Sequence, residues 1–240
     1  MLIAEIGLNH KGNEERAFKM LQQLVKADID AVTFQLPEPE FYSNLKFNIN
    51  PLSKAFYKKA INFIHKNNKQ IGFAIKDMDM ISFLDENKAD FWKTLSTSFN
   101  DNVLIGKLEK TKKPIFMSTG LSSEKEIQIM ARKRKNVKFI HTQLSHDIKD
   151  VNLKVIDTLK KITKKDIAFG LHCSNLDALL LSIAFSPSDI FFYVKDNARE
   201  KFLDHEHAVV INQLDIIIKR LKELEASLGI GHKQNIGIKI

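Results

Sequence analysis

Short apolar or β-branched runs recur along the whole chain, and each is followed by a stretch with helical spacing. The runs lie at about 2–7 (LIAEIG), 30–35 (DAVTFQ), 70–76 (QIGFAIK), 89–95 (ADFWKTL), 113–118 (KPIFMS), 136–142 (NVKFIHT), 166–172 (DIAFGLH) and 189–194 (DIFFYV). Between them, residues such as Ala17, Met20, Leu21 and Val25 share one face of a 3.6-residue period. The strongest helical segment is expected over about 206–228, EHAVVINQLDIIIKRLKELEASL. Strands separated by helices pair in parallel, and eight such units in 240 residues meet the requirement of a closed (β/α)₈ TIM barrel, an α/β single domain. An open doubly wound sheet is the alternative. It announces its nucleotide site with a Gly-rich first turn, and GLNHKGN lacks the G-x-G-x-x-G spacing. The barrel is expected over 1–228, with a C-terminal tail over 229–240.

Composition agrees with a packed domain: 44% of residues are apolar, and five Pro and nine Gly leave little material for linkers. No apolar run approaches the roughly 18 to 20 residues that span a bilayer, and the amino terminus lacks signal-peptide order. No membrane partner and a cytoplasmic location are therefore expected. The single cysteine, Cys173, excludes an intramolecular disulfide framework and a cysteine-based zinc site. The net charge of +8, from 37 Lys and Arg against 29 Asp and Glu, is compatible with nucleic acid or with anionic small molecules. Its lysines are spread over helices and turns, with local clusters such as KLEKTKK and ARKRK. No aromatic platform alternates with them, so they read as solvated faces and no nucleic-acid partner is expected.

In a barrel the reacting groups sit at the carboxyl ends of the strands. Those ends supply Asn9 and His10, Gln35, Lys76, Ser96, Ser118, His141, and His172. Polar residues inside the runs are harder to explain as loop beginnings: Glu5, Lys93 and His141 are expected to point into the barrel. A lysine flanked by aromatics in DFWKTL either snorkels to the rim or sits charged beside an anion. A carboxylate in LIAEIG needs a partner for the same reason.

IAEIGLNHKGNEERAFKML resembles the opening signature of the sialic acid synthase (N-acetylneuraminate synthase) family, whose first strand and loop carry A-E-I-G-x-N-H-x-G. DAVTFQ, KPIFMSTGLSSEKEI and VKFIHT agree with later segments of that family in order and spacing. The resemblance implies a (β/α)₈ barrel that condenses phosphoenolpyruvate with an N-acetylated amino sugar, giving a nine-carbon 2-keto acid and phosphate. It implies catalytic roles for Glu5 and Lys93, with Glu5 on the sugar side. Lys93, Ser96 and Ser118 match positions that hold phosphoenolpyruvate, Gln35 and Asp204 match sugar contacts, and Asn9, His10 and His141 complete the substrate-binding candidates. It further implies a divalent metal, manganese or magnesium.

Departures from the family pattern accompany these matches. Thr33 stands where a phosphate-binding lysine is expected, and Ser98 where a proton-transferring glutamate is expected; a hydroxyl is no general acid or base near neutral pH. Ser174 and Val194 stand where the family has its two metal-binding histidines. His172 lies two residues before Ser174, roughly 7 Å deeper along a regular strand. His172 and His205 are the metal candidates, with Asp204 and His207 as further donors. The family also continues into a small antifreeze-like domain that supplies an arginine to a partner subunit, and the tail here is too short to form it. A homodimer, or a partner supplying that domain, is a further implication.

Two functions of different class follow. One is a minimal or diverged phosphoenolpyruvate-condensing synthase. The other is a non-catalytic barrel that binds a sugar or an anion, or serves as a partner subunit. A third, an aldolase with Lys93 as Schiff-base nucleophile, needs a depressed lysine pKa that a sequence does not display.

Overall fold

The computed structural model describes residues 1–44, 47, 49–197 and 199–232. Eight parallel strands follow one another around a closed barrel, and β1 pairs with β8 to shut it. The strands are β1 (Leu2–Gly7), β2 (Ala31–Leu36), β3 (Gln70–Ile75), β4 (Phe91–Thr94), β5 (Ile115–Ser118), β6 (Val137–His141), β7 (Ile167–Leu171) and β8 (Ile190–Lys195). All eight expected runs are strands, with ends differing by a residue or two.

Helices fill every crossover: α1 (Glu14–Leu24), a short α2 (Pro39–Tyr42) before α3 (Lys54–Lys66), α4 (Met80–Glu86), α5 (Asn102–Lys110), α6 (Glu124–Lys133), α7 (Val155–Thr163), α8 (Asp177–Leu181) and α9 (Leu214–Leu228). Their starts are written locally. The Asn13 side chain accepts the Arg16 N–H at 2.9 Å ahead of α1, and Ser123 with Glu126 forms a reciprocal capping box ahead of α6.

The last helix begins later than its apolar spacing suggests. Residues 206–213 do not join it: Val209–Val210 form a short strand, β9, parallel to the end of β8, and a 3₁₀ turn follows. The register of β8 with β1 ends at the Glu5–Tyr193 pair and that with β7 at the Leu171–Phe192 pair. Val194 and Lys195 then have an open edge, and β-branched Val209–Val210 occupy it. Of the expected tail, residues 233–240 lie outside the described residues.

Two apolar layers hold the barrel. The outer one packs strands against helices and includes Phe34, Phe73, Trp92, Phe139 and Phe169. The inner one consists of Ile3, Ala31, Phe91, Phe116, Ile140, Ala168 and Phe191. Within it Phe91, Phe116 and Phe191 form two edge-to-face contacts with centroids 5.4 and 5.1 Å apart. Among the described residues no helix is long and apolar enough to cross a membrane.

Candidate functional site

Side chains two apart on a strand share a face, so the inner layer identifies what stands above it. Ile3 leads to Glu5, Phe91 to Lys93, and Phe191 to Tyr193, one step nearer the carboxyl-terminal mouth. Glu5 is 2% exposed and Lys93 4%. The Lys93 ammonium donates to Glu5 Oε2 in a buried ion pair, and Thr33 Oγ1 donates to the same oxygen at 3.3 Å. The rings of Phe191 and Tyr193 lie 5.3 and 5.6 Å from Lys93 Nζ. Each charge therefore has an opposite charge and a polarised neighbour, the condition under which burial of both is tolerated. Of the two sequence expectations for Lys93, the structure shows a lysine beside an anion, and that anion is Glu5.

The segment after β8 folds back across the mouth. Asp204 turns its carboxylate toward the chain at Gly7–Leu8 and lies 3.5 Å from the Leu8 N–H. A Cβ at Gly7, where φ is +55°, would meet that carboxylate at 2.9 Å and the Tyr193 ring at 2.6 Å, so the close approach requires glycine. Burial pushes the Asp204 pKa up to about 6, and the charge of Glu5 adds to this. Burial, then the charges of Glu5 and Asp204, keep the Tyr193 phenol well above its ordinary value.

Beside these carboxylates is a group of imidazoles. His172 and His207 stack with centroids 4.7 Å apart, His207 meets the Tyr193 ring edge-on at 4.8 Å, and His146 lies 5.2 Å from His207. Burial lowers His207 to about 4, with His146 and Lys93 contributing, and holds His172 well below the usual histidine range. Both rings are therefore neutral at pH 7. His207 is buried, and neither of its nitrogens has a hydrogen-bond partner among the described residues.

The other candidates divide by strand face. Asn9 Nδ2 donates to the Val194 carbonyl at 2.9 Å, fixing the first loop to β8. His10 is buried, and its Nδ1 accepts the Gly12 N–H at 3.0 Å, which leaves the proton on Nε2. Burial, with Arg16 nearby, lowers it to about 3. Gln35 is half-buried at the end of β2, and Ser118 is buried at the end of β5. Ser96, in a 3₁₀ turn after β4, accepts the Gly120 N–H at 3.2 Å.

His141 does not point into the barrel. Its neighbour Ile140 fills the inner layer, so His141 faces outward, near Phe169, with Nε2 donating to the Val151 carbonyl at 2.9 Å. The alternation of β6 separates it from Glu5 and Lys93. Sequence reasoning misses Tyr193, and has His207 only within a pool of metal donors. Thr142 stands two residues beyond Ile140 on the inner face, and its hydroxyl is buried without a partner among the described residues. The aromatic run FFYV conceals Tyr193; counting alternate residues from Phe191 is the signal that finds it.

The donors do not assemble a metal site. Among the described residues no group of three or more His, Cys, Asp or Glu side chains is placed to hold a metal ion. Imidazole lone pairs lie in the ring plane, and the His172 and His207 planes are inclined by only 29°, so the two rings stack rather than converge. The His205 carbonyl accepts from Lys195 Nζ at 2.8 Å. The residues present do not fit the divalent metal that the resemblance implies.

Comparison with known proteins gives a consistent match. The family model described as the NeuB family matches residues 22–233. The human N-acetylneuraminate-9-phosphate synthase is 25% identical over 97% of this chain and 72% of its own length. The N,N'-diacetyllegionaminic acid synthase of Campylobacter jejuni is 21% identical over 98% of this chain and 79% of its own. Among solved structures, N-acetylneuraminic acid synthetase from Leptospira borgpetersenii superposes with a TM-score of 0.87 at 22% identity, covering 98% of this chain and 86% of that one. This last likeness is one of fold.

Proposed function

The chain belongs to the NeuB family, and from that premise we propose that its barrel mouth binds phosphoenolpyruvate and an N-acetylated amino sugar and condenses them to a 2-keto acid, at a rate well below that of ordinary enzymes. The observation that carries this reading is Lys93, a buried lysine at the inner mouth, at a position that the resemblance assigns to the anionic substrate. In it, Lys93 with Ser96 and Ser118 holds phosphoenolpyruvate by charge-assisted hydrogen bonds. Gln35, Asp204 and Glu5 face the sugar. The reduced rate follows from Thr33 and Ser98, hydroxyls where a cation and a proton carrier are expected; losing one such group commonly costs about two to three orders of magnitude. No step is assigned to a metal.

A second reading is favoured by one specific contact. Glu5 already neutralises Lys93, as in a barrel that retains the pocket and binds a sugar without turnover. A phosphate-release assay with phosphoenolpyruvate and several N-acetylated sugars, against a no-sugar control, separates the two. Slow, sugar-dependent release, below about 1 per second, is the expected outcome. Absence of any sugar-dependent release, with sugar binding retained in calorimetry, would leave the non-catalytic reading standing.

A further inference from the structure

Lys93 is the cation that the proposed function gives to an anionic substrate, yet its ammonium is already matched within the protein. Glu5 Oε2 accepts from it, and Thr33 holds that same carboxylate oxygen from β2. The groups around this pair supply little compensation for a second anion. Asp204 adds negative charge from the segment after β8, and Tyr193 on β8 is a neutral phenol. His172 just after β7 and His207 beyond β8 are neutral rings, and His146 is bonded to Glu206. Lys195 turns its ammonium to the His205 carbonyl, and Lys76 is paired with Glu38 at 2.7 Å. An anion seated on Lys93 would therefore leave Glu5 as a buried carboxylate with its opposite charge shared or lost, an expensive state.

We infer that Glu5 is an internal counter-anion, seated where a ligand's carboxylate or phosphate would bind Lys93, and that it sets which ligands the mouth accepts. Neutral hydroxyl and amide groups meet no such competitor. A carboxylate or phosphate binds only by displacing Glu5 from Lys93. The inference shares the mouth with the proposed function but does not require turnover.

The experiment is calorimetric titration of wild type, Glu5→Gln and Glu5→Gln/Lys93→Met with inorganic phosphate, and separately with pyruvate as a carboxylate. Glutamine preserves shape and hydrogen bonding while removing the charge. Glu5→Gln is expected to bind phosphate at least about tenfold more tightly than wild type, the change that about 1.4 kcal/mol represents, and the double variant is expected to lose that gain. Thermal melts run alongside. Glu5→Gln leaves Lys93 unmatched, so it should melt lower than wild type and recover with phosphate, whereas the double variant should melt independently of phosphate. Equal or weaker phosphate binding by Glu5→Gln, or a gain that survives Lys93→Met, would overturn the inference. If Glu5→Gln proves too unstable to titrate, failure of phosphate to restore its melting transition does the same. Tighter binding by Glu5→Gln with no wild-type turnover defeats the synthase reading alone; turnover without that gain defeats this inference alone.

Discussion

Gly72 faces the Phe91 ring across the β3–β4 pair, and a Cβ there would meet the ring at 2.2 Å. The ring is wedged in the inner layer, so Gly72→Ala is an overpacking change expected to cost about 1–3 kcal/mol. Adding Phe91→Leu should recover part of it, and urea unfolding of both variants checks the pair. Titrating histidines and a titrating carboxyl at the mouth act in opposite directions. The folded pKa of His207 is depressed to about 4, so its contribution is complete above the unfolded histidine value, shrinks as pH falls below it, and is lost below about 4. His10 acts in the same direction, down to about 3. The pKa of Asp204 is raised to about 6, so its contribution is present in acid and lost as pH rises through 6. His207→Phe should flatten the fall in melting temperature between pH 6.5 and 4. Asp204→Asn, which still accepts from the Leu8 N–H, should melt higher than wild type at pH 8, and a lower melting point there would contradict the assignment.

The segment between β8 and α9 is secured by ions rather than by apolar contacts alone. Arg16 at the start of α1 bonds Asp196 at 2.5 Å and Glu200 at 2.6 Å, and Lys11 reaches Glu200 at 3.0 Å. That segment carries Asp204 and His207 into the mouth, so a helix residue far from the inner layer controls how firmly the mouth is covered. Arg16→Ala should raise amide hydrogen exchange over residues 199–207 several-fold while leaving β1 to β8 unchanged, since local opening follows the loss of local contacts. Equal protection in both proteins would show that β9 and the buried His207 suffice. The late start of α9 belongs to the same scale. Helical apolar spacing continues backward through Val209, but an open strand edge on β8 offers those residues backbone partners that an isolated helix end does not.

Closure of β1 on β8 makes the ligand response of the whole molecule a test of its site. A ligand that binds only the folded state at a thousand times its Kd adds about 4 kcal/mol to stability, which moves the melting point of a domain this size by many degrees. The donor set does not fit a divalent metal, so 1 mM manganese and EDTA are expected to leave the melting temperature unchanged. A manganese-dependent rise removed by EDTA would show that the imidazole cluster rearranges around a metal.

The eight-strand order, the helices between strands and the closed barrel were legible in the chain because each rests on local periodicity. Period 2 against period 3.6, and cap residues such as Asn13 and Ser123, depend on neighbours within a few positions. The buried charges Glu5 and Lys93 were legible as anomalies, since an apolar run with a charge inside it demands a partner. Which partner was not. Their pairing spans 88 positions and depends on β1 and β4 facing one another across the barrel, which local spacing does not encode. For the same reason His141 was misread: the face it takes is set by which residue of β6 enters the inner layer, and Ile140 enters it. Tyr193, His172 and His207 come together only because the chain after β8 folds back over the mouth. Sequence alone thus determined the barrel and the presence of buried charge. The tertiary structure decided what that charge meets, because Coulombic matching depends on distances that closure creates.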